Sequence, residues 1–158
     1  MLKRLALAVV FPAALLCHAA PVQAQTDHAH VGFHALYNTT FQDAGVGAQF
    51  SLPVARHLEF YPSVDLYFQT GATVWQPNFD FKYRALGQRN DWFYLGTGLG
   101  LLQESVDGLN ESRAMWNLFI GAENLHGEIH PFIEARAGVS DENQFQIQGG
   151  INITIGHH

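Results

Sequence analysis

Histidine is the residue type in this sequence best suited to bind metal ions, and six of the histidines fall into three close pairs. The pairs are His28 with His30, His126 with His130, and His157 with His158. Neutral imidazole is a ligand for Zn²⁺, Ni²⁺ and Cu²⁺, so a fold that gathered the pairs would create a metal site. No cysteine or carboxylate accompanies them at a firm ligand spacing. The alternative is that these histidines suit an interface, because imidazole has an apolar body and a polar tip. We predict no cofactor.

Catalysis by a serine nucleophile would require a histidine base within hydrogen-bond reach and an acidic group that orients the base. Ser51 and His57 are the one pair of this kind that the sequence places near each other. No obvious acidic partner accompanies them. We therefore predict that the chain is not an enzyme and has no catalytic residues.

The elements that must position these side chains are β-strands. In residues 58–69, every even position is apolar and every odd position carries a polar group. A period of two gives a strand two chemically opposite faces, and a segment of this length approaches the span of a tilted membrane strand. Pro62 cannot donate to a strand ladder, so we expect a bulge or kink there. Similar alternation predicts eight strands at about 30–38, 45–52, 58–69, 77–85, 92–103, 113–123, 129–139 and 145–155.

The first 24 residues have the features of a cleaved signal peptide. Lys3 and Arg4 form a basic start, residues 5–16 are apolar, and Val22 and Ala24 provide small residues for a cleavage site. Residues 25–158 then form one domain without cysteine. Its eight strands and short connections predict an all-β fold, an antiparallel up-and-down barrel.

Composition favours a barrel that crosses a membrane. The chain has a net charge of −6 and only 14% charged residues, against about a quarter in ordinary soluble domains. An acidic chain without a basic stripe argues against a nucleic-acid partner. Long strands, short loops and aromatic residues near strand ends are typical of a transmembrane barrel, which turns its apolar face outward. The alternative is a secreted, soluble, lipocalin-like barrel that encloses a small apolar ligand. In that barrel Phe60, Leu66 and Phe81 would line the cavity instead of facing lipid.

The signal peptide, the alternating segments and the last strand resemble the small bacterial outer-membrane barrels of the OmpA/OmpX-like class. The most specific piece is the last strand, which resembles the signal read by the outer-membrane assembly machinery. That signal has a polar residue, a glycine two positions later and spaced hydrophobic residues, here Gln148, Gly150, Ile153 and Ile155. The chain ends on Gly156-His157-His158 instead of the aromatic residue usual in the class. The resemblance implies a location in the bacterial outer membrane, with outer-membrane lipid and the assembly machinery as partners.

Eight charged residues lie on the polar face and would point into the lumen of a membrane barrel. They are Glu59, Asp65, Asp80, Lys82, Arg84, Glu123, Glu134 and Arg136. Side chains fill a barrel of eight strands, and unpaired buried ions are costly. We expect Lys82 and Arg84 to pair with the acidic residues of the third strand, Glu59 and Asp65. Arg136 should pair with Glu123 or Glu134. The resulting lumen is a structural plug; the alternative is a narrow polar pore of a porin-like protein.

The predicted topology gathers the histidine pairs at one rim of the barrel. In a barrel that starts and ends on the periplasmic side, both termini and the connection between the sixth and seventh strands meet at that rim. We expect a structural or interaction role at the cell envelope, through outer connections such as Glu104–Ser112 and Ser140–Gln144.

Overall fold

The computed structural model describes residues 28–84, 92–106 and 109–155, and this part of the chain forms a closed barrel. Each strand pairs antiparallel with the next, and the last strand pairs with the first from Ala29–Ile155 to Asn38–Gln146. The predicted fold class, an eight-stranded antiparallel up-and-down β-barrel, is confirmed. The predicted signal peptide, His157 and His158 lie outside the described residues. The strands are β1 (Ala29–Asn38), β2 (Asp43–Ala55), β3 (Leu58–Gln69), β4 (Ala72–Tyr83), β5 (Phe93–Val106), β6 (Leu109–Glu123), β7 (Ile129–Val139) and β8 (Gln144–Ile155).

The period of two in the sequence sets the two faces of the barrel wall. In β3, Tyr61 and Asp65 are buried, whereas Leu66, the residue directly after Asp65, is 48% exposed. On the neighbouring strand Phe81 is 43% exposed and Lys82 is buried. Phe60 faces the same side as Leu66 and is partly exposed. Polar side chains therefore fill the interior and apolar side chains cover the exterior, the reverse of what a soluble barrel around an apolar ligand requires.

Prolines limit the strands less than the sequence suggested. β4 begins at Ala72, well before the expected start at Pro77, and residues on both sides of that proline pair with β3 and β5. Pro62 stays in register opposite Phe79, so the predicted bulge at Pro62 is wrong. The irregularity lies instead in β2, between Pro53 and Ala55. A proline lacks the backbone N–H and so removes one hydrogen bond to one neighbouring strand. The strand that contains it is still held by its other neighbour.

The two ends of the barrel differ in what they carry. One end, which we call the terminal end, holds the start of β1, the end of β8 and the connections that follow β2, β4 and β6. The other, the hairpin end, holds the connections that follow β1, β3, β5 and β7. The expected outer loop Glu104–Ser112 is mostly strand, because β5 continues to Val106 and β6 begins at Leu109. No helix in the described residues is long and apolar enough to cross a membrane.

Glycines provide the space that the crowded interior needs. At inward-facing Gly98, an added Cβ would lie 2.3 Å from the carbonyl oxygen of Phe79 and 2.3 Å from Oδ1 of Asp80. Such distances are far below van der Waals contact. At outward-facing Gly149, the nearest atom would be the carbonyl oxygen of Phe132, at 3.5 Å. The glycine is therefore required at the first position and replaceable at the second.

We expect Gly98→Ala to destabilise the barrel by about 1–3 kcal/mol, because the added methyl group overpacks a wall that cannot move. Gly149→Ala is the matched control and should change stability by less than about 1 kcal/mol. Denaturant unfolding followed by tryptophan fluorescence measures both. Equal costs for the two variants would show that the interior has room that the structure does not display.

Candidate functional site

Four charged side chains form a cluster in the lumen near the terminal end. Nζ of Lys82 lies 2.9 Å from Oε2 of Glu59 and 3.3 Å from Oε2 of Glu123. Arg84 makes the same two contacts, at 2.7 Å to Glu59 and 2.5 Å to Glu123. The Lys82 ammonium also lies over the ring of Tyr61, 4.4 Å from its centroid. Two cations and two carboxylates thus neutralise each other in a region that the surrounding side chains shield from water.

A second cluster lies deeper in the lumen, around the guanidinium of Arg136. Its Nη1 donates to Asp80 at 2.5 Å and its Nη2 to Glu134 at 3.0 Å. The hydroxyl of Tyr94 donates to the other oxygen of Glu134 at 2.9 Å. The guanidinium carbon lies 4.7 Å from the ring centroid of Phe119. Arg136 therefore has both of the neighbours that a buried guanidinium needs, carboxylates in its plane and an aromatic face above it.

The pairing scheme expected from the sequence is correct for Glu59 and Glu134 and wrong for Asp65. Lys82 and Arg84 use Glu123 as their second partner, and Arg136 uses Asp80. Asp65 lies six residues along β3 from Glu59, which is about 20 Å of extended chain. Its partners are His34, at 2.9 Å, and the amide of Asn78, at 3.1 Å.

Buried amides connect these groups into one network. Nδ2 of Asn117 donates both to Asn78 at 2.9 Å and to Asp80 at 3.0 Å. On β8, Gln148 donates to Glu134 at 2.7 Å, and Gln146 donates to Gln148 at 3.0 Å. Because each amide both donates and accepts, the network bridges carboxylates that would otherwise repel one another. Other buried amides in the lumen are Asn38, Gln49, Gln76, Gln144 and Asn152.

The lumenal residues expected from the sequence are the charged ones; neither the amides nor His34 is among them. Their inward positions were readable from the alternation, because His34 lies between outward Phe33 and Ala35. The run Gln144, Gln146, Gln148 also keeps the period of two. What the sequence did not show is which strands meet across the lumen, since those contacts depend on the closed shape.

An apolar layer closes the lumen toward the hairpin end. It is formed by Leu36, Tyr67, Val74, Leu102 and Met115. Above it is a cavity of about 250 Å³ whose wall carries three carboxylates and the guanidinium of Arg113. Arg113 pairs with Glu142, one of those carboxylates. The layer separates this shallow mouth from the buried charges.

The structure brings together two of the six predicted rim histidines. The rings of His30 and His130 lie 4.9 Å apart, and Nδ1 of His130 is 3.8 Å from Oε1 of Glu123. His126 lies instead against Trp92, and His28 is at the start of the described chain. Within residues 28–84, 92–106 and 109–155, no group of three or more side chains is arranged to hold a metal ion. The metal site stays a prediction.

The residues of the predicted assembly signal all lie on β8, the strand that closes the barrel. Gln148 and Gly150 face the lumen, whereas Ile153 and Ile155 face outward. Gly150 packs against His34, whose Cα would be 2.7 Å from an added Cβ. The fold thus supplies its own reason for the glycine, and recognition by assembly machinery stays a prediction. The hydroxyl of Ser51, the serine considered as a nucleophile, donates to Glu59.

Comparison with known proteins gives a clear result at the level of structure only. No known protein-family model matches the sequence, and no curated protein matches it. The structure is similar to the N-terminal barrel domain of OprF from Pseudomonas aeruginosa, with a TM-score of 0.68 over 80% of this chain and 96% of that one, at 12% identity. This chain has the fold of the small outer-membrane β-barrels.

Two further solved structures are similar to this one. Neisserial surface protein A gives a TM-score of 0.55 at 11% identity, over 81% of this chain and 95% of that one. The de novo designed protein TMB2.3 gives a TM-score of 0.53 at 11% identity, over 85% of this chain and 100% of that one. The resemblance to the OmpA/OmpX-like class seen in the sequence therefore holds for the architecture.

We expect Arg136→Met to destabilise the barrel by about 3–5 kcal/mol, because it leaves Asp80 and Glu134 buried without their cation. The matched control is Arg113→Met, which removes the half-exposed pair with Glu142 and should cost less than about 1 kcal/mol. Urea unfolding of both variants provides the comparison. A cost below 1 kcal/mol at Arg136 would mean that the central cluster contributes little to stability.

Proposed function

We propose that this protein is an integral protein of the bacterial outer membrane, with a plugged lumen and a structural or interaction role at the cell envelope. The observation that carries the proposal is the inverted polarity of the barrel, polar within and apolar without. Of the described residues, thirty-two large hydrophobic side chains are exposed. A monomer in water rarely exposes contiguous apolar area on this scale, whereas lipid contact requires it.

The distribution of aromatic side chains supports placement in a bilayer. Tyr37, Phe68 and Trp75 are exposed toward the hairpin end of their strands. Trp92 and Phe93 are exposed at the terminal end. Amphipathic aromatic rings prefer the level of the lipid headgroups, and barrels in membranes carry such girdles at both interfaces. The strands, at 10 to 15 residues, are long enough for a tilted crossing, which takes about 9–11 residues.

The filled lumen supports a closed barrel instead of a conducting pore. The two charge clusters, the amides between them and the apolar layer occupy successive levels of the interior. Ions would have to displace buried, paired charges, which is costly. Signal-peptide export through residues 1–24 is part of the proposal, and so is delivery to the outer membrane by recognition of β8.

The hairpin end is the surface that we assign to contacts with other molecules. There, β6 pairs with β7 only from Trp116 onward, so the segment Leu109–Met115 has β5 as its one neighbouring strand in the described part of the barrel. Leu109 is 76% exposed. An open strand edge is suited to pairing with an extended segment of another molecule.

Expression with the native signal peptide, followed by envelope fractionation and gel electrophoresis, tests the location. We expect recovery in the outer membrane and different migration before and after boiling, because a closed barrel resists detergent until heated. A version that lacks residues 1–24 is the control and should stay in the cytoplasm. Recovery of the full chain in the soluble periplasm, with no heat-dependent shift, would contradict the proposal.

Arginine substitutions on the outer face test contact with lipid directly. Leu99 lies between Phe79 and Trp116, far from both strand ends, whereas Ile129 is the exposed, outward-facing first residue of β7. We expect Leu99→Arg to cost about 2–4 kcal/mol in lipid vesicles and Ile129→Arg about 0–1 kcal/mol, because the cost of a charge depends on its depth in the bilayer. Equal costs at both depths would argue against a membrane-spanning orientation.

A further inference from the structure

His34 is a fully buried histidine in the middle of the lumen, and both of its ring nitrogens have close partners. Its Nδ1 lies 2.5 Å from Oε1 of Gln49, and its Nε2 lies 2.9 Å from Oδ1 of Asp65. The neutral ring has one donor nitrogen and one acceptor nitrogen. The protonation of His34 therefore depends on whether its two partners donate or accept.

The Gln49 partner is an acceptor, because a chain of amides fixes its orientation. Glu123 is ionised beside Lys82 and Arg84, so its Oε1 must accept the 2.7 Å bond from Nδ2 of Asn152. The other end of Asn152, Oδ1, must then accept the 2.8 Å bond from Nε2 of Gln49.

With its amide nitrogen committed to Asn152, Gln49 presents its oxygen to the ring. Nδ1 of His34 must therefore carry a hydrogen.

The Asp65 partner is also an acceptor. Its Oδ2 receives amide hydrogens from Asn78 at 3.1 Å and from Gln146 at 3.5 Å, and such donors stabilise the carboxylate form. Among the described residues, His34 is the one basic side chain within 4 Å of this carboxylate. A buried carboxylate without a cation is strongly disfavoured. With Asp65 in this carboxylate form, the 2.9 Å contact requires a hydrogen on Nε2 of His34 as well.

From these two requirements we infer that His34 is held as an imidazolium and binds a proton as a structural ligand of the lumen. Among the eight charges expected from the sequence, five are acidic and three are basic. His34 provides a fourth cation, and it provides it to Asp65, the one acid of the five that no lysine or arginine contacts.

The groups around the ring come from several strands. Among the described residues, Asp65 of β3 is the charged group in contact with it, Gln49 faces it from β2, and Phe132 meets it edge-on from β7 at 6.4 Å between ring centroids. Arg136, also on β7, interacts electrostatically with Asp65 but does not form an ion pair with it. From β8 it is Gly150 that packs against the ring.

Glycines open the path along which this network runs. A Cβ at Gly47 would lie 2.3 Å from Nε2 of His34 and 2.6 Å from Oδ1 of Asp65. A Cβ at Gly32 would lie 2.1 Å from Oδ1 of Asn152 and 2.4 Å from Nε2 of Gln49. Two of the hydrogen bonds that fix the state of His34 thus pass through space that any other residue would fill, which indicates that the backbone is adapted to them.

Nitrogen NMR of the folded barrel, with ¹⁵N-labelled histidine and sequential assignment of His34, tests the inference. At neutral pH we expect both ring nitrogens of His34 to show a directly bonded hydrogen. One bare nitrogen would overturn the inference, whether the proton had moved to Asp65 or had left the pair. The measurement needs only the folded barrel in detergent micelles, so it does not depend on where the protein resides in the cell.

The variant Asp65→Asn tests whether the carboxylate is what holds the proton. The amide has nearly the same shape but no charge, so we expect one nitrogen of His34 to lose its hydrogen at neutral pH. Glu142→Gln, which removes an exposed carboxylate at the hairpin end, is the matched control and should leave both hydrogens in place. If His34 keeps both hydrogens in Asp65→Asn, the role assigned to Asp65 is wrong. If Asp65→Asn does not fold, the wild-type spectrum alone decides.

Discussion

The structure depends on one constraint, which is that every charge on the inner face must find its partner inside a space that side chains alone can fill. An apolar exterior leaves no other place for these charges. The lumen meets this constraint at three positions. These are the cluster of Lys82 and Arg84 with Glu59 and Glu123, the surroundings of Arg136, and the contact of His34 with Asp65. Inward glycines follow from it too, since a large paired group on one strand requires an empty position on the strand beside it.

The architecture was predictable from the sequence because a period of two is a local property. The alternation in residues 58–69 gives β3 the bounds that the structure has, and Ile129–Val139 was equally clear. The bounds of β4 were less clear because Pro77 looked like a terminator. The effect of a proline depends on which side of the strand needs its missing N–H, and this is known only when both neighbouring strands are in place.

The pairing of the charges was only partly predictable, for a geometric reason. Partners on adjacent strands can be guessed from register, as Glu59 and Lys82 illustrate, because they lie directly opposite each other. Glu123 reaches the same cluster from β6, across the lumen, and no local pattern encodes that distance. The role of His34 was missed for the same reason, since its state depends on Glu123 through two amides that belong to β8 and β2.

The pairing of β1 with β8 determines when the barrel can close during folding. The strand made first has to wait for the strand made last, because the pair Ala29–Ile155 joins the two ends of the described sequence. The amide of Asn152 belongs to β8, so the hydrogen bonds that orient Gln49 toward His34 cannot form until β8 closes the barrel. A barrel that stays open keeps its acids and bases in water, and closure is the moment at which the interior acquires its single arrangement.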